Sequence, residues 1–298
     1  MEKKKIAVFE PPDSYDEIRR LVHGILVKAD ALDELPTPIG KLFETSRIKE
    51  CRNLPDPQSS YLSSLTSQAR ELFQSAMQKI RGIADLRTRV VYIPRQDTDP
   101  RILFAQGHEL GHQCMAWHNV NRAYQDDDSS LSPSVKLKFE QEANCFSAET
   151  IFQGSRFTKR ARDYTAEFKS IFALSAKYGS SIQATAWRFI EEQDIPVAAL
   201  HYYPSNWQID EFGNSVFTLW KVTASPTFRQ LCNDTMAVPT ELRTGHPWLA
   251  AYPMTTVVDG EESVDCGPNG SIRFIWQSWW NQHALIVLLR RRPFLRIM

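Results

Sequence analysis

No stretch of this chain approaches the roughly 20 consecutive apolar residues that a membrane-crossing helix needs, and there is no internal repeat or low-complexity tract. Neither sign of charge is in excess, because 35 Lys and Arg balance 35 Asp and Glu. A chain without a net field is not pulled onto nucleic acid or anionic lipid, so direct nucleic-acid binding and membrane association are not expected. Cysteines are few and unpaired in sequence: Cys51, Cys114, Cys145, Cys232 and Cys266 are odd in number and contain no CxxC pair. That pattern excludes a disulfide framework and fits reduced thiols in the cytoplasm. The basic Lys3-Lys4-Lys5 precedes an apolar run, Ile6 to Phe9, that is too short for a secretion signal and meets Pro11-Pro12. At 298 residues the chain is long enough for two domains.

What the sequence does contain is His108-Glu109-Leu110-Gly111-His112, an HExxH pattern. On a helix, residues four apart share a face, so the two imidazoles sit one turn apart while Glu109 projects about 100° away, beside anything they hold. Zn²⁺ takes neutral imidazole nitrogens at about 2.0 to 2.1 Å, and a catalytic site needs a third protein ligand and a position left for water. Glu109 is placed to take a proton from that water. The pattern also occurs on ordinary solvated helices, so the third ligand matters.

Three residues compete for that role. His118 gives the spacing of HExxHxxGxxH, but Met115 stands where that pattern has the glycine that turns the chain. With Met there the helix can continue, leaving His118 about 240° round the axis from His112. Glu140 and Glu142 fall on a second helix, Val135 to about Phe152, where Phe139, Ala143, Phe146 and Thr150 form the apolar stripe. Glu140, Asn144 and Ser147 flank that stripe, whereas Glu142 falls with Lys138 and Glu149 on the side expected to be wet. Glu140 is therefore the better ligand, with Glu142 and His118 as alternatives, and Asn144 is placed to hydrogen-bond the far nitrogen of a metal-bound imidazole.

Around these motifs the chain reads as a strand near Lys5 to Phe9, then a helix from Tyr15 to about Ala31, capped by Asp13 or Ser14. A short helix follows at Ile39 to Thr45, a loop at Asn53 to Ser60 and a helix at Leu62 to Ile80. Thr88 to Ile93 is a strand, and His118 to Ser134 a polar loop. Helices at Thr158 to Tyr178 and Ser181 to Gln193, joined at Gly179-Ser180, resemble a helix-turn-helix. Beyond Pro196 the texture turns to strands: Val197 to Tyr203, Val216 to Val222, Ser271 to Trp276 and His283 to Arg290. Trp207, Trp220, Trp248, Trp276, Trp279 and Trp280, six of the eight tryptophans, lie there. The expected domains are thus 1–194, metal-binding and carrying the helix pair at about 158–193, and 195–298, β-rich and regulatory in role.

Arg101 and Phe104 ahead of HELGH, followed by Glu140-Gln141-Glu142-Ala143-Asn144-Cys145-Phe146-Ser147-Ala148, resemble the ImmA/IrrE family of zinc metallopeptidases. The likeness runs from about Tyr15 to Gln193 and departs at Gln106-Gly107, at Ser147 where Ala is expected, between about Ile48 and Lys79, and in the C-terminal third. It implies an α+β fold with a zincin-like, mostly helical metallopeptidase domain and a small sheet, with Glu140 as third ligand. It also implies a thermolysin-like mechanism with Glu109 as general base, and a protein substrate, a helix-turn-helix repressor. An oxyanion partner would come from Tyr124 or His118. The strand Thr88 to Ile93 would be the sheet edge that receives an extended substrate. Two other classes stand beside this one. One is a DNA-binding regulator reading with Ser180 to Gln193, although Arg188 is the only base that helix offers; the other is a sensory protein with a silent peptidase domain.

Overall fold

The computed structural model describes residues 3–5, 11–51, 83–85, 89–93, 100–118, 133–209, 213–232 and 235–291. The loop and helix expected at 53–80 lie outside them, as do residues 119–132 of the loop expected at His118 to Ser134, whose two ends are helical. Helix and sheet are mixed in an α+β architecture that divides into two compact units, residues 10–157 with 175–181, and residues 1–9 with 158–174 and 182–298. Among the described residues no helix is long and apolar enough to cross a membrane.

In the first unit, α1 (Tyr15–Lys28) buries Ile18, Val22, Ile25 and Leu26, the stripe that its 3.6-residue period sets out. Ser14 stands at its N-cap, yet its hydroxyl makes no capping bond. Helix α2 (Ile39–Thr45) adds Ile39, Leu42 and Phe43 to the same core. Three short strands, β2 (Lys49–Cys51), β3 (Ile83–Asp85) and β4 (Val90–Tyr92), form a sheet in the order β2-β4-β3, parallel between β2 and β4 and antiparallel between β4 and β3. The strand foreseen as an exposed edge is therefore the central one, with Val91 and Ile93 fully buried. A β-branched run flanked by turn signals looks alike at a sheet's edge and at its centre, because the neighbours that decide are supplied by distant chain.

Helices α3 (Pro100–Cys114) and α4 (Pro133–Phe152) pack on one another, and α3 lies against β3. They approach closely because Gly107 and Gly111 lack side chains where α4 crosses: a Cβ at Gly111 would stand 3.0 Å from Phe146 Cβ. Lys138 and Gln141 of α4 remain exposed, while the face that carries Glu142 and Glu149 is buried rather than wet. Helix α1 packs there, and Tyr15 Oη donates to Glu149 Oε1 at 3.1 Å while Arg19 pairs with its other oxygen at 3.5 Å.

In the second unit eight strands form an antiparallel sheet ordered β1-β7-β9-β10-β11-β5-β6-β8. These are β1 (Lys3–Lys5), β5 (Val197–Ile209), β6 (Ser215–Ala224), β7 (Thr235–Ala237), β8 (Glu241–Leu242), β9 (Val258–Asp265), β10 (Ser271–Trp280) and β11 (Leu285–Arg291). Trp248, Trp276 and Trp280 lie in its core, whereas Trp220 is exposed. Strand β9, VDGEESVD, was invisible to propensity: its register with β10 runs from Asp265 opposite Ser271 to Val258 opposite Ser278. Gly260 suits that pairing, since a Cβ there would stand 2.6 Å from the Trp276 ring.

The single helix expected at Thr158 to Tyr178 is two, α5 (Ser155–Arg162) and α6 (Phe168–Tyr178), and α7 (Ile182–Glu191) follows after Gly179, whose φ of +63° ends α6. The units also divide elsewhere than at Asp194 to Pro196, since residues 158–174 and all of α7 group with the large sheet. Helix α7 buries Thr185, Ala186, Phe189 and Ile190 and lies against β5 and β6. Helix α8 (Pro226–Cys232) ends where the Cys232 thiol donates to Cys266 Sγ at 2.7 Å, both buried and neither in a disulfide.

Candidate metal centre

Helix α3 presents His108 and His112 on one face, and helix α4 brings Glu140 to them. His108 Nε2 and His112 Nε2 are 3.1 Å apart, and Glu140 reaches the first with Oε2 at 3.2 Å and the second with Oε1 at 3.5 Å. Among the described residues these three form the one cluster of His, Cys, Asp and Glu whose donor atoms converge as a cation would require. The spacing passes a simple test. Ligand atoms about 2.0 to 2.1 Å from a tetrahedral centre must lie about 3.3 to 3.4 Å from each other; the nitrogen–nitrogen distance of 3.1 Å and the nearest approaches of the carboxylate, 3.2 and 3.5 Å through its two different oxygens, lie around that value. The triad therefore fits a divalent cation, with two neutral imidazoles and one carboxylate as donors. Glu140 stays half exposed, which leaves the cluster open on one side.

Electrostatics within the cluster follow from the same contacts. Hydrogen bonds to His108 and then His112 hold the Glu140 carboxyl well below the usual carboxylate range. For His108, burial pushes the pKa down, but the Glu140 hydrogen bond and the charges of Glu109 and Glu140 outweigh it and leave the ring more basic than usual. Glu109, the next residue along α3, acts on His108 through its charge.

Each imidazole also has a partner behind it. His108 Nδ1 meets Asn144 Oδ1 at 3.0 Å, the contact expected of Asn144 one turn along from Glu140. His112 Nδ1 meets His118 Nδ1 at 3.0 Å, and His118 Nε2 meets Glu142 Oε2 at 2.7 Å.

Both alternative ligands are thus accounted for, away from the cluster. The expectation that the helix runs straight through Met115 does not hold, since α3 ends at Cys114 and helical turn resumes at 116–118. Met115 is fully buried, and His118 folds back against His112 on the nitrogen that faces away from Glu140. With both ring nitrogens engaged and no exposed surface, His118 is also unavailable as an oxyanion donor. Tyr124, the other candidate, lies outside the described residues.

Glu142 is not on a wet face. It is fully buried, and accepts from Ser14 Oγ at 2.6 Å and Trp117 Nε1 at 2.9 Å as well as meeting His118. Phase analysis of α4 alone could not show this, because α1 covers that face. Ser14 and Trp117 were missed for the same reason: nothing local marks a serine at an N-cap as the partner of a carboxylate 128 residues away.

No family model matches the chain, and no curated protein matches it. Among solved structures it is similar to a Mycobacterium tuberculosis transcriptional regulator, at 12% identity and a TM-score of 0.42 over 93% of this chain and 80% of that one. A likeness at that level leaves the residues of the cluster as the ground for a functional reading.

Proposed function

We propose that this protein is a zinc-dependent endopeptidase of the ImmA/IrrE kind, with narrow specificity and a helix-turn-helix repressor as substrate. The observation that carries this reading is the convergence of His108 Nε2, His112 Nε2 and the Glu140 carboxylate at tetrahedral spacing, with Glu109 next to His108 on the same helix. Zn²⁺ held there would lower the pKa of a bound water toward 7 and polarise a scissile carbonyl. His108 and His112 supply neutral nitrogens, kept in the Nδ1–H form by Asn144 and His118. Glu109 then accepts the water proton on its carboxylate and returns it to the leaving amine, so that one water is consumed per bond cut.

The central position of β4 moves the docking edge. Strand β3 is an edge of the small sheet among the described residues and lies against α3, which makes Ile83–Asp85 the better strand for an extended substrate to pair with. All three donors belong to the unit of residues 10–157 and 175–181, which supports a tuning rather than a ligand-supplying role for the large sheet. Two contacts weigh against DNA reading by α7: Arg188 pairs with Glu192 at 2.9 Å with its side chain only 13% exposed, and Trp187 donates to the buried His201 at 2.8 Å.

The test is co-incubation of the full chain with helix-turn-helix repressors encoded near it, with and without chelator, beside Glu109→Gln. Chelator-sensitive cleavage at one site by wild type alone is expected. Indiscriminate digestion of denatured casein, or sequence-specific DNA binding by the chain itself, would overturn the reading.

A further inference from the structure

The geometry points to His118 and Glu142 as positioning residues that fix the tautomer and basicity of His112 through a buried relay running Glu142–His118–His112. The inference rests on the metal reading above and assigns residues that the HExxH motif and the Glu140 and Asn144 pair leave without a role.

Proton placement in the relay has one consistent solution. Turned toward His108 and Glu140, His112 Nε2 must be unprotonated to bind a cation, so Nδ1 carries the hydrogen and donates to His118 Nδ1 at 3.0 Å. His118 accepts on Nδ1 and therefore carries its own hydrogen on Nε2, which donates to Glu142 Oε2 at 2.7 Å. As a carboxylate Glu142 only accepts, which matches its three partners, because Trp117 Nε1 and Ser14 Oγ donate to it as His118 Nε2 does. Every polar hydrogen along this line has an acceptor, and no acceptor faces another acceptor.

Burial gives the arrangement its strength. His118 and Glu142 have no exposed surface, and the His118 ring stacks on Phe139 with centroids 4.2 Å apart. A carboxylate two bonds removed from a metal-binding imidazole makes that imidazole a better donor, and loss of such a partner typically weakens metal binding about 10- to 100-fold. The two histidines of the cluster are thus supported differently: His108 leans on a neutral amide, His112 on a buried negative charge passed through a second imidazole. Because Ser14 opens α1, the relay also ties the N-terminal helix to the cluster.

The experiment measures Zn²⁺ affinity of the full chain by competition with a chromophoric chelator, and the visible spectrum of the Co²⁺ form. Glu142→Gln keeps the side-chain shape but removes the charge, and His118→Phe keeps the stacking on Phe139 but removes both ring nitrogens. Each is expected to raise the Zn²⁺ dissociation constant about 10- to 100-fold and to shift the Co²⁺ bands. The double variant should bind no more weakly than the worse single one, since both act along one line. Glu149→Gln, on the same helix and equally buried but outside the relay, should leave affinity unchanged, which separates positioning from general damage to α4. Should a variant fail to fold, imidazole ¹⁵N spectra of zinc-loaded wild type decide: hydrogen on His112 Nδ1 and His118 Nε2 is expected, and the opposite tautomer of either overturns the relay. Wild type that binds zinc while both folded variants stay within about twofold of it overturns this inference alone, whereas wild type that binds no metal overturns the metal reading and the relay together.

Discussion

A Cβ built on Gly107 would stand 2.5 Å from Ser147 Oγ and 3.1 Å from Ser147 Cα, so α3 and α4 touch here almost backbone to backbone. The absent side chain on α3 leaves room for Ser147 of α4, whose Oγ donates to Phe104 O at 2.7 Å.

That contact sets the sign of a substitution. Gly107→Ala gains roughly 1 kcal/mol of helix propensity but forces a methyl against backbone that cannot rotate away, at a cost of about 1 to 3 kcal/mol. The expected result is a net loss of up to about 2 kcal/mol in urea unfolding, partly recovered when Ser147→Ala removes the nearest atom. A variant as stable as wild type would show that the helices can part without cost.

Much of this was legible in sequence, and the remainder has identifiable causes. The HExxH helix, Glu140 as the converging carboxylate and Asn144 behind His108 follow from period and spacing, which are local. Glu142 was misplaced because its burial depends on α1, and β4 was misplaced in its sheet because β2 and β3 come from distant chain. The break at Met115 left no signature, since methionine neither requires nor forbids a turn; its buried side chain holds it there. Strand β9 defeats propensity because its pairing, not its composition, makes it a strand.

His201 makes the large-sheet unit sensitive to acid. Burial first, and the nearby Lys221 second, hold its pKa down to about 3, while the unfolded chain titrates near 6.5. Between those values the unfolded state binds a proton that the folded state refuses, so stability is complete above about pH 6.5 and is lost as pH falls toward 3. By pH 5 the loss should approach about 2 kcal/mol. Tryptophan-monitored urea unfolding of wild type and His201→Gln from neutral pH to pH 5 should give curves that diverge as pH falls. Parallel curves would remove His201 as the cause.

Glu109→Gln should keep the fold and the metal but lose turnover by about 10²- to 10⁴-fold, because an amide cannot accept the water proton. Side-by-side metal content and cleavage rate check this. Full activity in that variant would mean that another group serves as base.

The central claim is that His108, His112 and Glu140 together hold one cation, and the zinc content of purified chain after reconstitution and dialysis tests it most directly. The account predicts about one Zn²⁺ per chain in wild type, as the one converging triad among the described residues requires, and little or none in Glu140→Ala. Metal-free wild type, or Glu140→Ala carrying the full complement, would contradict it.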